Sequence, residues 1–214
     1  MEETNNNASH TVPHATPFVD FSMQFSLAKN NERVERCIFE SLQELAREVA
    51  LGKQKSLGSI VVLGDFEKFG PRIDGMVQMK PKQNPVESLR IFDSTHGAAY
   101  IKEFSISPFD GAMVVDKTGQ IIGAGVYLVV EDPTLDTPED CGTRHKAAAS
   151  FSRRDDVISV LTLSEETNTV RIWQHGKVKE VYRTNEVVAE EREEKATKKK
   201  KASGKTQAVE ESKE

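Results

Sequence analysis

The 214-residue sequence is poor in cysteine and in large aromatics, with two Cys, one Trp and three Tyr. Cys37 and Cys141 have no metal-ligand spacing and cannot build a disulfide framework, which fits a reduced, cytoplasmic protein. No apolar run approaches the roughly 20 residues that a membrane span needs. Met1 to Pro17 carries Asn, His, Thr and Pro in place of a basic stretch followed by an apolar one. It does not read as a signal peptide. A basic excess is missing too, and the formal net charge of -5 argues against a wholesale nucleic-acid binder. Neither a Walker-type phosphate loop nor a GxGxxG fingerprint occurs, so the common ATPase, kinase and dinucleotide readings lack support. Cys141 precedes His145 by four residues, but no acid at a fixed offset supports a thiol nucleophile.

What is present divides into three parts. Residues 1–28 read as a flexible arm, with Phe18, Phe21 and Phe25 able to dock on a domain. Residues 29–185 carry the apolar patterning of one domain. Residues 186–214 are rich in Glu, Lys, Ser and Gly and read as a disordered tail, with helical character near Val187 to Lys195. Lys198 to Lys201 reads as a solvated charge run.

Within the domain, Asn31 to Leu51 is helical. Val34, Cys37, Ile38, Leu42, Leu45 and Val49 recur every three or four residues, Asn30 or Asn31 supplies the cap, and Gly52 ends it. Ser59 to Gly64 is a short apolar run suited to a strand buried on both faces. Pro85 to Phe92 and Thr95 to Phe104 read as two short helices. Ala112 to Asp116 and Ile121 to Val130 form a hairpin around Lys117-Thr118-Gly119-Gln120. A helix follows from Thr143 to about Phe151, then strands at Val157 to Leu163, Val170 to Trp173 and Val178 to Tyr182. Early helices followed by hairpins predict an α/β (α+β mixed) fold, a central mixed β-sheet flanked by helices.

Three segments carry candidate chemistry. Gly142-Thr143-Arg144-His145-Lys146 combines cationic and proton-carrying side chains with a helix start. Thr143 is expected to cap that helix, and its first N–H groups with the cations favour a polyanion such as a phosphate chain. Phe109-Asp110-Gly111-Ala112 sets a carboxylate and a bare backbone at the entrance to a strand. Ser164-Glu165-Glu166 ends the next long strand with a hydroxyl and two carboxylates. Each alone is also an ordinary turn or capped surface helix. Together, on one rim of a sheet, a hard divalent cation on carboxylates and a phosphate site on cations suit phosphoryl or nucleotidyl transfer.

Asp110-Gly111-Ala112, Gly142-Thr143-Arg144-His145-Lys146 and Ser164-Glu165-Glu166-Thr167 stand in the order and approximate spacing of the diadenylate cyclase domain, which makes cyclic di-AMP from two ATP. The resemblance runs over 57–181, most densely over 109–173. The layout looks most like the stand-alone soluble archaeal-type members. It implies that Asp110 binds a catalytic Mg²⁺ or Mn²⁺ and helps activate the ribose 3′-hydroxyl. Gly111 and Ala112 let ATP approach the backbone, and Tyr127 and Leu128 hold adenine. Gly142, Thr143, Arg144, His145 and Lys146 form the phosphate segment, with Ser164 and Glu166 completing the phosphate and metal site. The family commonly reads Arg-His-Arg where this chain has Lys146 third, and lysine lacks the planar fork. The resemblance further implies that two copies self-associate face to face. The alternative is an ATP or cyclic di-AMP sensor of the same fold, favoured by Lys146 alone. A third reading places the work in the tails.

Overall fold

The computed structural model describes residues 21–66, 75–79, 90–105, 110–130, 137–138 and 141–210. In chain order the elements are α1 (Phe21–Ala50), β1 (Ser59–Gly64), β2 (Met76–Gln78), β3 (Arg90–Ile91), α2 (Gly97–Phe104), β4 (Ala112–Asp116) and β5 (Gln120–Leu128). Then follow α3 (Thr143–Phe151), β6 (Val157–Leu163), β7 (Thr169–Gln174), β8 (Lys177–Arg183) and α4 (Thr184–Glu210). The described strands join one sheet in the order β2-β5-β4-β1-β6-β7-β8, with β3 also paired to β5. β1 and β4 are parallel and the other pairs antiparallel, so the expected mixed sheet is there.

Strand β1 is the spine, and its alternation defines two cores. Val61 and Leu63 face α1 and α2 together with Met113, Val115, Leu161 and Ile172. Ile60 and Val62 face α3 with Ala112, Val114, Val160 and Trp173. All six residues of β1 are buried, because helices cover both faces. At about 1.5–3 kcal/mol for each large apolar side chain buried, these two layers outweigh local propensity in fixing the register.

Helix α1 docks through Val34, Ile38, Phe39, Leu42 and Leu45, all buried, while Cys37 packs at the margin of that core. It closes as the sequence suggests. Gly52 adopts φ 72°, its N–H bonds the Val49 carbonyl and that of Lys53 bonds the Glu48 carbonyl, the reciprocal pattern of a Schellman end. Its start differs from the expectation of Asn31, lying ten residues earlier at Phe21. No Pro or Gly separates Pro17 from Gly52, and Asn30 does not cap. Its amide instead donates to the Lys117 carbonyl at the β4–β5 turn, 2.8 Å away.

Two other segments depart from expectation. Arg90 and Ile91, expected to end a helix, form β3 against Gln120 and Ile121. The Phe92 N–H then bonds the Gly119 carbonyl at 2.6 Å, and Phe92 reaches the core; most of that expected helix lies outside the described residues. Beyond Glu186 the chain is helical as α4, as expected near Val187 to Lys195 but not for the disordered tail expected after it. Val188 is buried, and Nη1 and Nη2 of Arg47 both donate to the Glu191 carboxylate at 2.9 Å, which docks the first turns on α1. Residues 1–20, the greater part of the expected arm, lie outside the described residues.

Candidate active site

The site lies where α3 starts, on the face of the sheet away from α1. Helix α3 runs from Thr143, with Gly142 as its N-cap in extended conformation and no side chain capping it. Thr143 is therefore the first helical residue and not the cap that the sequence suggested. A glycine cap costs little against a side-chain one and leaves the helix start bare. The His145 and Lys146 N–H groups both turn back to the Gly142 carbonyl. No acidic residue occupies the first turn, so nothing on the helix itself neutralises the positive end of its dipole.

A cleft of about 270 Å³ opens there, lined by Gly142, Thr143, Arg144, His145, Ser164, Glu165 and Glu166. Two sequence motifs, one at the start of α3 and one at the end of β6, thus meet. Ser164 is buried at the end of β6. Its Oγ accepts the Thr167 N–H at 3.3 Å, which leaves the hydroxyl proton to donate to a ligand oxygen. Glu165 and Glu166 are exposed on the turn, which Asn168 completes at φ 56°. The Asn168 amide donates to the Ala46 carbonyl at 2.7 Å and so fastens the turn to the end of α1. Ser56 Oγ fastens it from the other side through the Glu165 carbonyl.

A second cavity of about 290 Å³ adjoins the first, sharing Thr143 and Arg144. Its remaining lining is mainly apolar: Ile60, Met79, Ala112, Val126, Leu128 and Ala147, with Asp110, Gly111 and Tyr127. Asp110 is exposed at the entrance to β4. Gly111 sits at φ 145°, and a Cβ there would come within 2.9 Å of the Gly125 and Val126 backbone. That position needs glycine both for its dihedral and for the close approach of β4 to β5. Tyr127 could have been a core aromatic on periodicity alone. It is 56% exposed on β5, paired with Val77, so its ring stands at the cavity and outside the core.

Of the residues singled out from sequence, Asp110, Gly111, Ala112, Tyr127, Leu128, Gly142, Thr143, Arg144, His145, Ser164 and Glu166 line one or both cavities. Lys146 does not; it is exposed on α3 and lines neither. Sequence reasoning missed Gly58, whose bare Cα lies against the Arg144 guanidinium, and Arg171, which is buried and bonded to His145. A glycine before a strand and a charge inside one carry no local signal of a site. Among the described residues no group of three or more His, Cys, Asp or Glu could hold a metal. Three carboxylates, Asp110, Glu165 and Glu166, lie on the adjoining cavities. That donor set fits a hard cation held jointly by one or two carboxylates and substrate phosphates, and not a closed protein cage.

Over residues 48–178 the chain matches the DAC family, described as DisA bacterial checkpoint controller nucleotide-binding. The match spans more than half of the sequence, and the chain belongs to this family of diadenylate cyclase domains. It is 29% identical over 168 residues to the diadenylate cyclase of Methanocaldococcus jannaschii, covering 77% of this chain and 50% of that protein. It is also 29% identical over 156 residues to the diadenylate cyclase of Haloferax volcanii, covering 72% of this chain and 54% of that one. The chain therefore spans about half the length of these relatives. A crystal structure of DacA from Staphylococcus aureus is similar with a TM-score of 0.46 and 22% identity, over 73% of this chain and 93% of that one. No helix among the described residues is long and apolar enough to cross a membrane.

Proposed function

We propose that the protein is a diadenylate cyclase, condensing two ATP into cyclic di-AMP and two pyrophosphates. One observation supports this above the others: a mainly apolar cavity and a polar cleft at a helix N-terminus share Thr143 and Arg144 in their lining. A nucleoside triphosphate has that same division, a flat apolar base at one end and a polyanion at the other. In this reading Tyr127 stacks on adenine above Leu128, and Gly111 and Ala112 leave the β4 backbone open to the nucleotide. The α3 N-terminus from Gly142, with Thr143, Arg144 and His145, binds the phosphates, and Ser164 donates its hydroxyl to them.

Asp110 accepts the hydrogen bond of the ribose 3′-hydroxyl and holds it for attack. Asp110 and Glu166 would hold Mg²⁺ or Mn²⁺ together with phosphate oxygens, and the ion would supply charge neutralisation and a more acidic hydroxyl. Each 3′-oxygen bonds to the α-phosphorus of the other nucleotide. The bond from that phosphorus to the pyrophosphate oxygen breaks, and the hydroxyl proton is released. Among the described residues one chain offers one such pair of cavities, so two copies must face each other, and self-association becomes the control point. Lys146, the feature that favoured a sensor, stands apart from both cavities.

The test is to incubate the purified protein with ATP and either Mn²⁺ or Mg²⁺ and look for cyclic di-AMP by mass, with Asp110→Asn in parallel. Product from the wild type and none from the variant is expected, with a rate that rises faster than protein concentration. An ATP-bound dimer that forms no product would overturn the reading.

A further inference from the structure

Arg171 is a charged residue in a place that β-strands reserve for apolar ones. It lies on β7 between Val170 and Ile172, which belong to the α1-side core, so its side chain projects to the other face, beneath α3. It is 3% exposed, and its Nη1 lies 3.3 Å from Nε2 of His145. A guanidinium carries five N–H donors and no lone pair, and it stays protonated in proteins. The hydrogen bond can run only one way, from Arg171 to His145. Nε2 is then the bare nitrogen of the ring, and an imidazolium, protonated on both nitrogens, could not occupy this place.

The ring has little freedom to escape that arrangement. His145 is 4% exposed and packs against Trp173, with ring centroids 6.0 Å apart and planes at 51°. Trp173 is fixed in turn by its indole N–H, which donates to Thr162 Oγ1 at 3.0 Å. Thr162 is the cross-strand partner of Arg171 itself. The β6–β7 pair therefore presents a set of side chains that locks the orientation of one imidazole at the start of α3.

We propose that Arg171 is a positioning residue for the phosphate cleft: it holds His145 as the neutral Nδ1–H tautomer and supplies from below the positive charge that His145 does not carry. This rests on the reading of that cleft as the phosphate site. The cationic surface for the triphosphate then consists of Arg144 at the cleft wall and Arg171 behind the ring, with His145 as the spacer between Arg171 and the ligand. A structural role for Arg171 alone would require neither a fixed tautomer nor any sensitivity of ATP affinity to its charge.

The experiment reads the tautomer and the affinity separately. Two-bond ¹H–¹⁵N spectra of the ring report which nitrogen of His145 is protonated in the wild type, Arg171→Met and Arg171→Lys. Equilibrium binding of Mg·ATP is measured on the same proteins. The wild type is expected to show an unprotonated Nε2 and Arg171→Lys to keep it. Arg171→Met is expected to move the proton to Nε2 and weaken ATP binding about tenfold, the scale of one nearby charge acting through partial screening. A protonated Nε2 in the wild type overturns the tautomer while leaving the nucleotide site intact. Failure of the wild type to bind ATP overturns the phosphate role while leaving the tautomer intact. Where Arg171→Met does not fold, the wild-type spectrum and the lysine variant still decide the matter.

Discussion

The Arg144 guanidinium lies across the bare Cα of Gly58: a Cβ built there would stand 2.6 Å from Arg144 Cζ and 2.9 Å from Nη2. The residue just before β1 thus sets where Arg144, which with Thr143 lines both cavities, can rest. Gly58→Ala leaves the β1 core untouched but pushes the guanidinium out of its seat. Cyclic di-AMP formation should fall by about 10²-fold, the usual consequence of displacing a substrate-positioning group by an ångström or so. Thermal stability should change little. Steady-state kinetics beside a melting curve separates the two, and an unchanged rate would show that Arg144 works from another rotamer.

Lys146 supports a prediction of the opposite kind. It follows Arg144 and His145 in sequence, yet the 100° turn per residue of a helix carries it to the solvent side, away from both cavities. Lys146→Ala should change kcat/KM by no more than about twofold, the scale of surface substitutions. A much larger loss in the assembled protein, with monomer ATP binding unaffected, would place this lysine on the nucleotide of the facing copy.

These residues also explain how far the sequence could be read. Three-to-four-residue periodicity located α1, a continuous apolar run located β1, and apolar runs divided by turn residues located the β4–β5 hairpin and β6 to β8, because each has apolar surface that must be buried. The motifs at Asp110, Thr143 and Ser164 were legible since strand ends and helix starts combine particular residue types with turns. What stayed hidden depends on tertiary contact. Asn30 reads as a helix cap, but a turn 87 residues away takes its amide. β3 is only two residues long and exists because β5 offers an edge. Gly58 and Arg171 act through partners far along the chain, and no local pattern announces either.

The α4 helix supplies a pH-dependent prediction. A hydrogen bond from Arg47, more than charge alone, holds the Glu191 carboxyl below its ordinary range. The same contact, with a smaller part from Tyr182, raises Arg47. A carboxyl lowered in the folded state contributes stability above its unfolded pKa of about 4.3 and loses it as pH falls through the folded value. Glu191→Gln should therefore melt below the wild type at pH 7. The difference should persist to about pH 4 and close in stronger acid. A constant gap across that range would mean that the carboxylate charge does not hold α4 to α1.

Asn168 links the end of the fold to the site, through two properties that substitution can separate. Its φ of 56° shapes the turn that carries Glu166, and its amide holds that turn to the Ala46 carbonyl in a buried bond of 2.7 Å. Asn168→Gly keeps the dihedral and removes the bond, leaving a carbonyl at the end of α1 without this donor. Asn168→Ala removes the bond and also forces a Cβ into the left-handed region. The glycine variant should lose about 1–3 kcal/mol of unfolding free energy, and the alanine variant about 1 kcal/mol more, by urea denaturation. Both should raise the metal concentration needed for half-maximal activity, since Glu166 rides on the turn. An alanine variant no less stable than the glycine one would show that the turn relaxes to another dihedral. If metal dependence then stayed unchanged, Glu166 would not be a metal ligand.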